Sequence, residues 1–272
     1  FVALKRKQNI EGETSNQKQY GRFLAFVVCL LLLLIIGTPL YFVGRFLISD
    51  ILFRNSLIAA SQNQGLQTYN FQIAAIKMFP YRDLYYRNYA QTNLALANAI
   101  VAQGTEKEDG LSEEAQKNVV TLIQQSINAA RDATAIAPLT RFNWNTLSSV
   151  YRSLIGFGQN ADKFAVATSQ QAVNLDPTNP QQYVELGGIY YQLGDYNEAI
   201  RQFEFAINLK RDYANAYYNL GHALEEKGEL PSALNAYELV KQLVAKDPEN
   251  LKRISGEIEA LVGSYDWDDP DF

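Results

Sequence analysis

Cysteine, histidine and methionine each occur once in the 272 residues, as Cys29, His222 and Met78. A lone cysteine excludes an intrachain disulfide and any cysteine-based zinc site. A lone histidine argues against a histidine metal centre, a Ser-His-Asp triad and the two-histidine zinc-protease motif. Neither Gly-x4-Gly-Lys-Ser/Thr nor Gly-x-Gly-x-x-Gly occurs, so no phosphate-cradling loop is expected. Carboxylate pairs such as Glu225-Glu226 and Asp268-Asp269 are best read as solvated surface. No catalytic residue, cofactor or metal is therefore expected in this chain.

Charge is distributed unevenly. Residues 1–47 carry six basic and two acidic side chains, a balance of +4, which leaves −9 for the rest of a chain whose net charge is −5. An acidic body repels phosphate backbones, so nucleic acid is not an expected partner. The chain opens on Phe1 and its one methionine is internal, so a preceding segment is expected.

What the sequence does have is one long apolar run. From Phe23 to Gly44 no residue is charged. About 20 apolar residues suffice to cross a bilayer as a helix. A signal peptide has a shorter apolar region and a small-residue cleavage site, neither of which fits. A buried core helix of this length is unusual. Gly37, Pro39 and Gly44 are costly in a soluble helix but more common in membrane spans. Residues 22–47 are thus expected to be a transmembrane helix, with membrane contact through 23–44. Lys5, Arg6, Lys7, Lys18 and Arg22 precede the span, while Arg45 and Arg54 follow it. The positive-inside rule then makes 1–21 a basic cytoplasmic flank and places the remainder outside.

The second positive feature is self-similarity. Tyr183-x-x-Leu186-Gly187-x-x-Tyr190 recurs 34 residues later as Tyr217-x-x-Leu220-Gly221-x-x-Leu224. The same offset carries Gly194 to Gly228, Ala199 to Ala233 and Phe203 to Tyr237. An earlier copy begins at Trp144-x-x-Leu147-Ser148-x-x-Tyr151, continues through Ala165 and Ala172, and exits at Pro177. It carries five extra residues near Gly156-Phe157-Gly158. Residues at i and i+4 share a helix face, and the small residue beside each leucine lets a second helix approach. Such a hairpin buries its apolar stripe only by stacking on its neighbours.

This pattern resembles the tetratricopeptide repeat, Trp-x2-Leu-Gly-x2-Tyr followed by Ala-x3-Phe and Pro. Arg211 stands where proline is usual, and Pro248 falls one place beyond the register. The resemblance implies an all-α fold, a right-handed helical-hairpin solenoid, which follows the one N-terminal transmembrane helix expected from the apolar run. Three units are expected at 141–179, 180–213 and 214–247. Residues 48–140 read as divergent repeat-like helices near 56–78, 82–103 and 114–136, with a charged surface loop at 104–110. A plain helical linker bundle is the alternative for that stretch. Leu251, Ile254, Ile258 and Leu261 define a capping helix over 248–263, before an acidic tail at 264–272.

In that family the concave groove is lined by first-helix residues at fixed positions. Carried over, these are Asn145, Ser149 and Arg152; Gln181, Val184, Gly188 and Tyr191; and Tyr218, His222 and Glu225. Asn219 stands at a position that helps clamp a peptide carboxylate in some members, but the basic partners are missing from the matching positions. The resemblance therefore implies a protein or peptide partner in the groove. Homo-oligomerisation and end-to-end stacking of solenoids remain compatible with the sequence. The layout of basic flank, span and repeats also resembles the C-terminus of bacterial O-antigen ligase or polymerase-like proteins. That resemblance implies a bacterial envelope setting, with any catalytic part outside this chain.

Overall fold

A computed structural model describes residues 2–105 and 110–264, and among these residues there are eleven α-helices and no strand. The chain divides into two compact units, residues 1–80 and 81–272.

The first unit is a helical hairpin. Helix α1 (Val2–Ser61) includes Pro39 without interruption. The backbone is helical from Val2 and remains so to Ser61, so the expected span limits 22 and 47 are not helix ends. A window within Tyr20–Ser61 reaches a mean hydropathy of 2.8 and has no buried residue. By length and composition it is able to cross a bilayer. The helix expected near 56–78 is instead broken at Gln62–Gln64. Asn63 adopts φ +56°, a left-handed conformation that asparagine tolerates, and the Gln64 N–H donates to the Ala59 carbonyl at 2.9 Å. Helix α2 (Gly65–Met78) then runs back along α1, and Arg45 Nε donates to the Met78 carbonyl at 2.7 Å.

The second unit is a stack of helical hairpins. Helices α3 (Asp83–Thr105) and α4 (Glu113–Ile136) form the first pair. Residues 106–109, in the expected charged loop, lie outside the described residues. Next come α5 (Arg141–Arg152) with α6 (Ala161–Leu175), α7 (Pro180–Gln192) with α8 (Tyr196–Leu209), and α9 (Ala214–Lys227) with α10 (Leu230–Leu243). Helix starts follow capping chemistry. Ser112 Oγ accepts from the Ala115 N–H at 3.2 Å, and Asp195 Oδ1 accepts from the Glu198 N–H at 3.2 Å. Asn179 Oδ1 accepts from the Gln181 N–H at 3.0 Å, just ahead of Pro180 in the first turn. The exit prolines are tied to the helices they introduce. Trp144 Nε1 donates to the Pro138 carbonyl at 2.7 Å, and Tyr183 Oη donates to the Pro177 carbonyl at 3.0 Å.

Close approach within each hairpin depends on one small residue. A methyl group added at Gly187 would lie 2.5 Å from the Phe203 ring, and one at Gly221 would lie 2.3 Å from the Tyr237 ring. Both aromatics are buried, and each packs close against the helix opposite because that helix has no Cβ at the crossing. In the α5–α6 pair Ser148 takes the glycine position and Ser169 the aromatic one. Ser148 Oγ there donates to the Ala165 carbonyl at 3.1 Å, so the helices are joined by a hydrogen bond instead of a ring. The α5–α6 turn, 153–160, is also longer than the α7–α8 turn, 193–195.

Helix α11 (Pro248–Ser264) buries Ile254, Ile258 and Leu261 in one cluster with Tyr237 and Val240 of α10. Each is worth roughly 1.5–3 kcal/mol of burial. The helix also keeps the repeat register. Pro248, Leu251, Ile254, Ser255 and Ile258 stand 34 residues after Ala214, Tyr217, Leu220, Gly221 and Leu224. It closes the α10 surface as the first helix of another unit would. Residues 265–272, where the acidic tail is expected, lie outside the described residues.

Candidate partner-binding groove

The first helices of three successive hairpins, α3, α5 and α7, line a cavity of about 420 Å³. Asn145, Ser149 and Arg152 of α5 line it as a set, about one turn apart on one helix face. Helix α3 adds Arg87 and Gln91, and α7 adds Glu185 and Ile189. Phe142 forms part of the wall and is half exposed.

The charged groups here are held in place by the scaffold. Asn143, fully buried, donates from Nδ2 to the Ala133 and Ala137 carbonyls at 2.9 and 3.1 Å, which ties α5 to the end of α4. Its Oδ1 accepts from Arg87 at 3.1 Å, and Asp83 lies 3.9 Å from the same guanidinium. Arg152 reaches across to α7, where it donates to the Gly188 carbonyl at 3.1 Å and to Gln192 Oε1 at 3.0 Å. A Cβ at Gly188 would stand 3.2 Å from that guanidinium, so the glycine makes room for the arginine. Burial pulls the Arg152 pKa down, opposed by the charge of Glu185. Burial also pushes the Glu185 carboxyl up, against the Gln181 hydrogen bond and the charges of Arg141 and Arg152.

The other expected groove positions are placed differently. Val184 is buried in the core with Ala199 and Phe203 and is not a groove residue. Its place in the α7 turn is taken by Glu185, which the helical screw rotates toward the cavity. Gln181 supports Glu185 from Nε2 at 3.2 Å and accepts from the Tyr213 hydroxyl. Tyr191 packs beside Tyr196, ring centroids 5.6 Å apart. Asn219 turns back on its own helix and donates to the Asn215 carbonyl at 2.6 Å.

Tyr218, His222 and Glu225 belong to a second constellation, against α10 and α11. The Tyr218 hydroxyl donates to Glu257 at 2.9 Å, and Arg253 lies over the Tyr218 ring at 5.0 Å. The Tyr237 hydroxyl donates to Glu225 at 2.8 Å and lies 2.9 Å from His222 Nδ1. Burial and the carboxylates around it push the Tyr237 phenol far up. Helix α11 thereby engages the groove face of α9. Arg87, Gln91 and Glu185 were not among the expected site residues. Arg87 lies in the degenerate stretch before residue 140, and its link to α5 runs through a contact 56 residues apart in sequence.

Comparison with known proteins gives the geometry a family context. Residues 187–228 match the family model of the TPR repeat, and residues 214–243 match that of the tetratricopeptide repeat. The chain is similar to the chloroplastic tetratricopeptide repeat domain-containing protein PYG7 of Arabidopsis thaliana, with 39% identity over 90 residues. That segment is 33% of this chain and 29% of the relative, so the match spans less than a third of the relative's length. In fold it is similar to PilW, a type IV pilus biogenesis factor, with TM-score 0.57 and 15% identity over 79% of this chain and 86% of that one. It is likewise similar to a thermophilic TPR protein of Thermus thermophilus, with TM-score 0.54 and 16% identity over 76% of this chain and 97% of that one. Residues 187–243 are thus tetratricopeptide repeats, set in an all-helical solenoid of the tetratricopeptide fold.

Proposed function

We propose that this chain is a membrane-anchored interaction module that holds a protein or peptide partner in its groove on the extracytoplasmic side. The observation that carries the binding part is the α3–α5–α7 cavity. Its Arg87, Gln91, Asn145 and Ser149 offer donors and acceptors suited to an extended peptide backbone, beside the apolar surface of Phe142 and Ile189. Among the residues lining it, none forms a nucleophile–base pair, and the chemistry is that of a recognition surface. The anchor part is supported by the exposed apolar stretch of α1, and the side by the excess of basic residues before it. The reading as the tail of an O-antigen ligase or polymerase-like enzyme has no counterpart among the similar proteins described above and is not adopted.

A photo-crosslinking amino acid placed at Asn145 or Gln91 of the full chain is expected to capture the partner in its native membrane. The same probe at Lys241, on the outer helix α10, is expected to capture none. Equal capture at Lys241 and Asn145 would sink the groove assignment. Recovery of the chain in the soluble fraction after alkaline carbonate extraction would sink the anchor.

A further inference from the structure

The first unit contains a second cavity, of about 780 Å³, between α1 and α2. Its wall is apolar, formed by Leu40, Ile48, Leu52 and Met78, and two cations stand at it, Arg45 and Lys77. Neither cation has a carboxylate within ion-pair distance among the described residues.

The position of this cavity along α1 follows from simple lengths. The 22 uncharged residues from Phe23 to Gly44 rise about 33 Å as a helix, against a hydrocarbon thickness of roughly 30 Å. Arg45 is the first charge beyond them. In a membrane-spanning α1 it therefore sits at the headgroup level, with Tyr41 one turn below, where aromatic residues favour the interface. Helix α2 brings its C-terminal end back to the same level. Arg45 Nη2 donates to the Lys77 carbonyl at 3.0 Å, although the two residues are 32 apart in sequence. This fixes the Arg45 guanidinium beside Tyr41, 5.6 Å from the ring centroid, and sets the exposed Lys77 ammonium next to it.

We infer that this cavity is a binding site for an anionic membrane phospholipid, with the phosphate on Arg45 and Lys77 and an acyl chain running from there past Tyr41 and Leu40 along the span. The inference rests on the membrane-anchor reading. Two observations select a lipid over other occupants. The Leu40 and Tyr41 end of the cavity is continuous with the exposed apolar face of the span, so an acyl chain leaving the phosphate enters the bilayer without crossing water. The two cations complement a phosphodiester at the level where phosphates lie. Gly44 lines the cavity, and a methyl group added there meets no atom within 4 Å, so a larger side chain has room to occupy that space.

The test uses the full chain in phosphatidylcholine vesicles with spin-labelled phosphatidylglycerol or spin-labelled phosphatidylcholine as probe. The motionally restricted fraction is expected to favour phosphatidylglycerol. Lys77→Gln is expected to lower that preference about fivefold, the usual effect of one basic residue at a membrane surface. Arg45→Gln lowers it further but also unties α2. Gly44→Leu therefore serves as the independent variant, and is expected to abolish the restricted fraction with both cations intact. Equal restriction of the two lipids by the unaltered chain would overturn the inference, as would an unchanged preference in both Lys77→Gln and Gly44→Leu. Displacement of the phosphatidylglycerol label by millimolar inorganic phosphate would reassign the site to free phosphate. Flotation of the vesicles separates the two readings. A chain that floats without lipid preference leaves the anchor standing and removes the lipid site; a chain that does not float removes both.

Discussion

The α5–α6 hairpin and the two hairpins after it solve one packing problem in two ways. In α7–α8 and α9–α10 a glycine faces a buried aromatic ring, Gly187 with Phe203 and Gly221 with Tyr237. In α5–α6 serines stand at both matching positions, and Ser148 bonds the Ala165 carbonyl. One version relies on apolar area and dispersion, the other on a buried hydrogen bond whose net worth is smaller. The serine-containing hairpin lines the α3–α5–α7 groove, and it is tied to its neighbours through Asn143 and Arg152.

The largest test of this contrast is Phe203→Ala, expected to cost about 3–5 kcal/mol in denaturant unfolding followed by circular dichroism. Ser169→Ala, at the matching position, is expected to cost under about 1.5 kcal/mol. Similar losses at the two sites would break the comparison. Next in size is Gly187→Ala, whose new methyl group meets the Phe203 ring, at a cost of roughly 1–3 kcal/mol. Pairing Gly187→Ser with Phe203→Ser recreates the serine solution. The double variant is expected to lose less than the sum of its singles, because removal of the ring relieves the clash. Strict additivity would show that the two positions do not exchange volume. Ser148→Ala should lose about 0.5–1.5 kcal/mol, the worth of its one bond to α6.

The smallest effect is pH-dependent. Burial raises the Glu185 carboxyl above its ordinary 4.5, so the folded chain holds that proton more tightly than the unfolded chain. The stability linked to this proton is complete below about 4.5 and is lost as pH rises through the raised value. Glu185→Gln keeps the side-chain link to Gln181 and removes the charge. It is expected to melt at a higher temperature than the parent at pH 7, with the gap closing toward pH 4. A gap that widens at acid pH would reverse the assignment.

Much of this architecture was legible because the repeat register is a local code. Leu186, Gly187 and Tyr190, with their copies at 34 residues, define which face of each first helix is buried, and α3 and α4 fall close to the helices expected at 82–103 and 114–136. The break at Asn63 was not legible, because a polar Gln-Asn-Gln segment fits a helix surface as well as a turn. The register of α11 was hidden by substitution, since Leu251 replaces the aromatic residue and Ser255 the glycine that mark the motif at 217 and 221. Among the groove positions transferred from family spacing, Asn145, Ser149 and Arg152 share one cavity wall. The transfer failed at Val184, where a shift of one residue carries a side chain about 100° around the helix, from cavity to core.

The amino-acid order alone determined the helical class, the repeat length and the apolar run of α1, because each depends on the spacing of side chains along one helix. Only the tertiary structure decided which polar residues share a site. Arg87 meets Asn143 across 56 positions, and Arg45 meets the end of α2 across 33, through stacking and hairpin return that no local spacing records. The same physics ties Tyr218 to Glu257 of α11 and brings α3, α5 and α7 around one cavity.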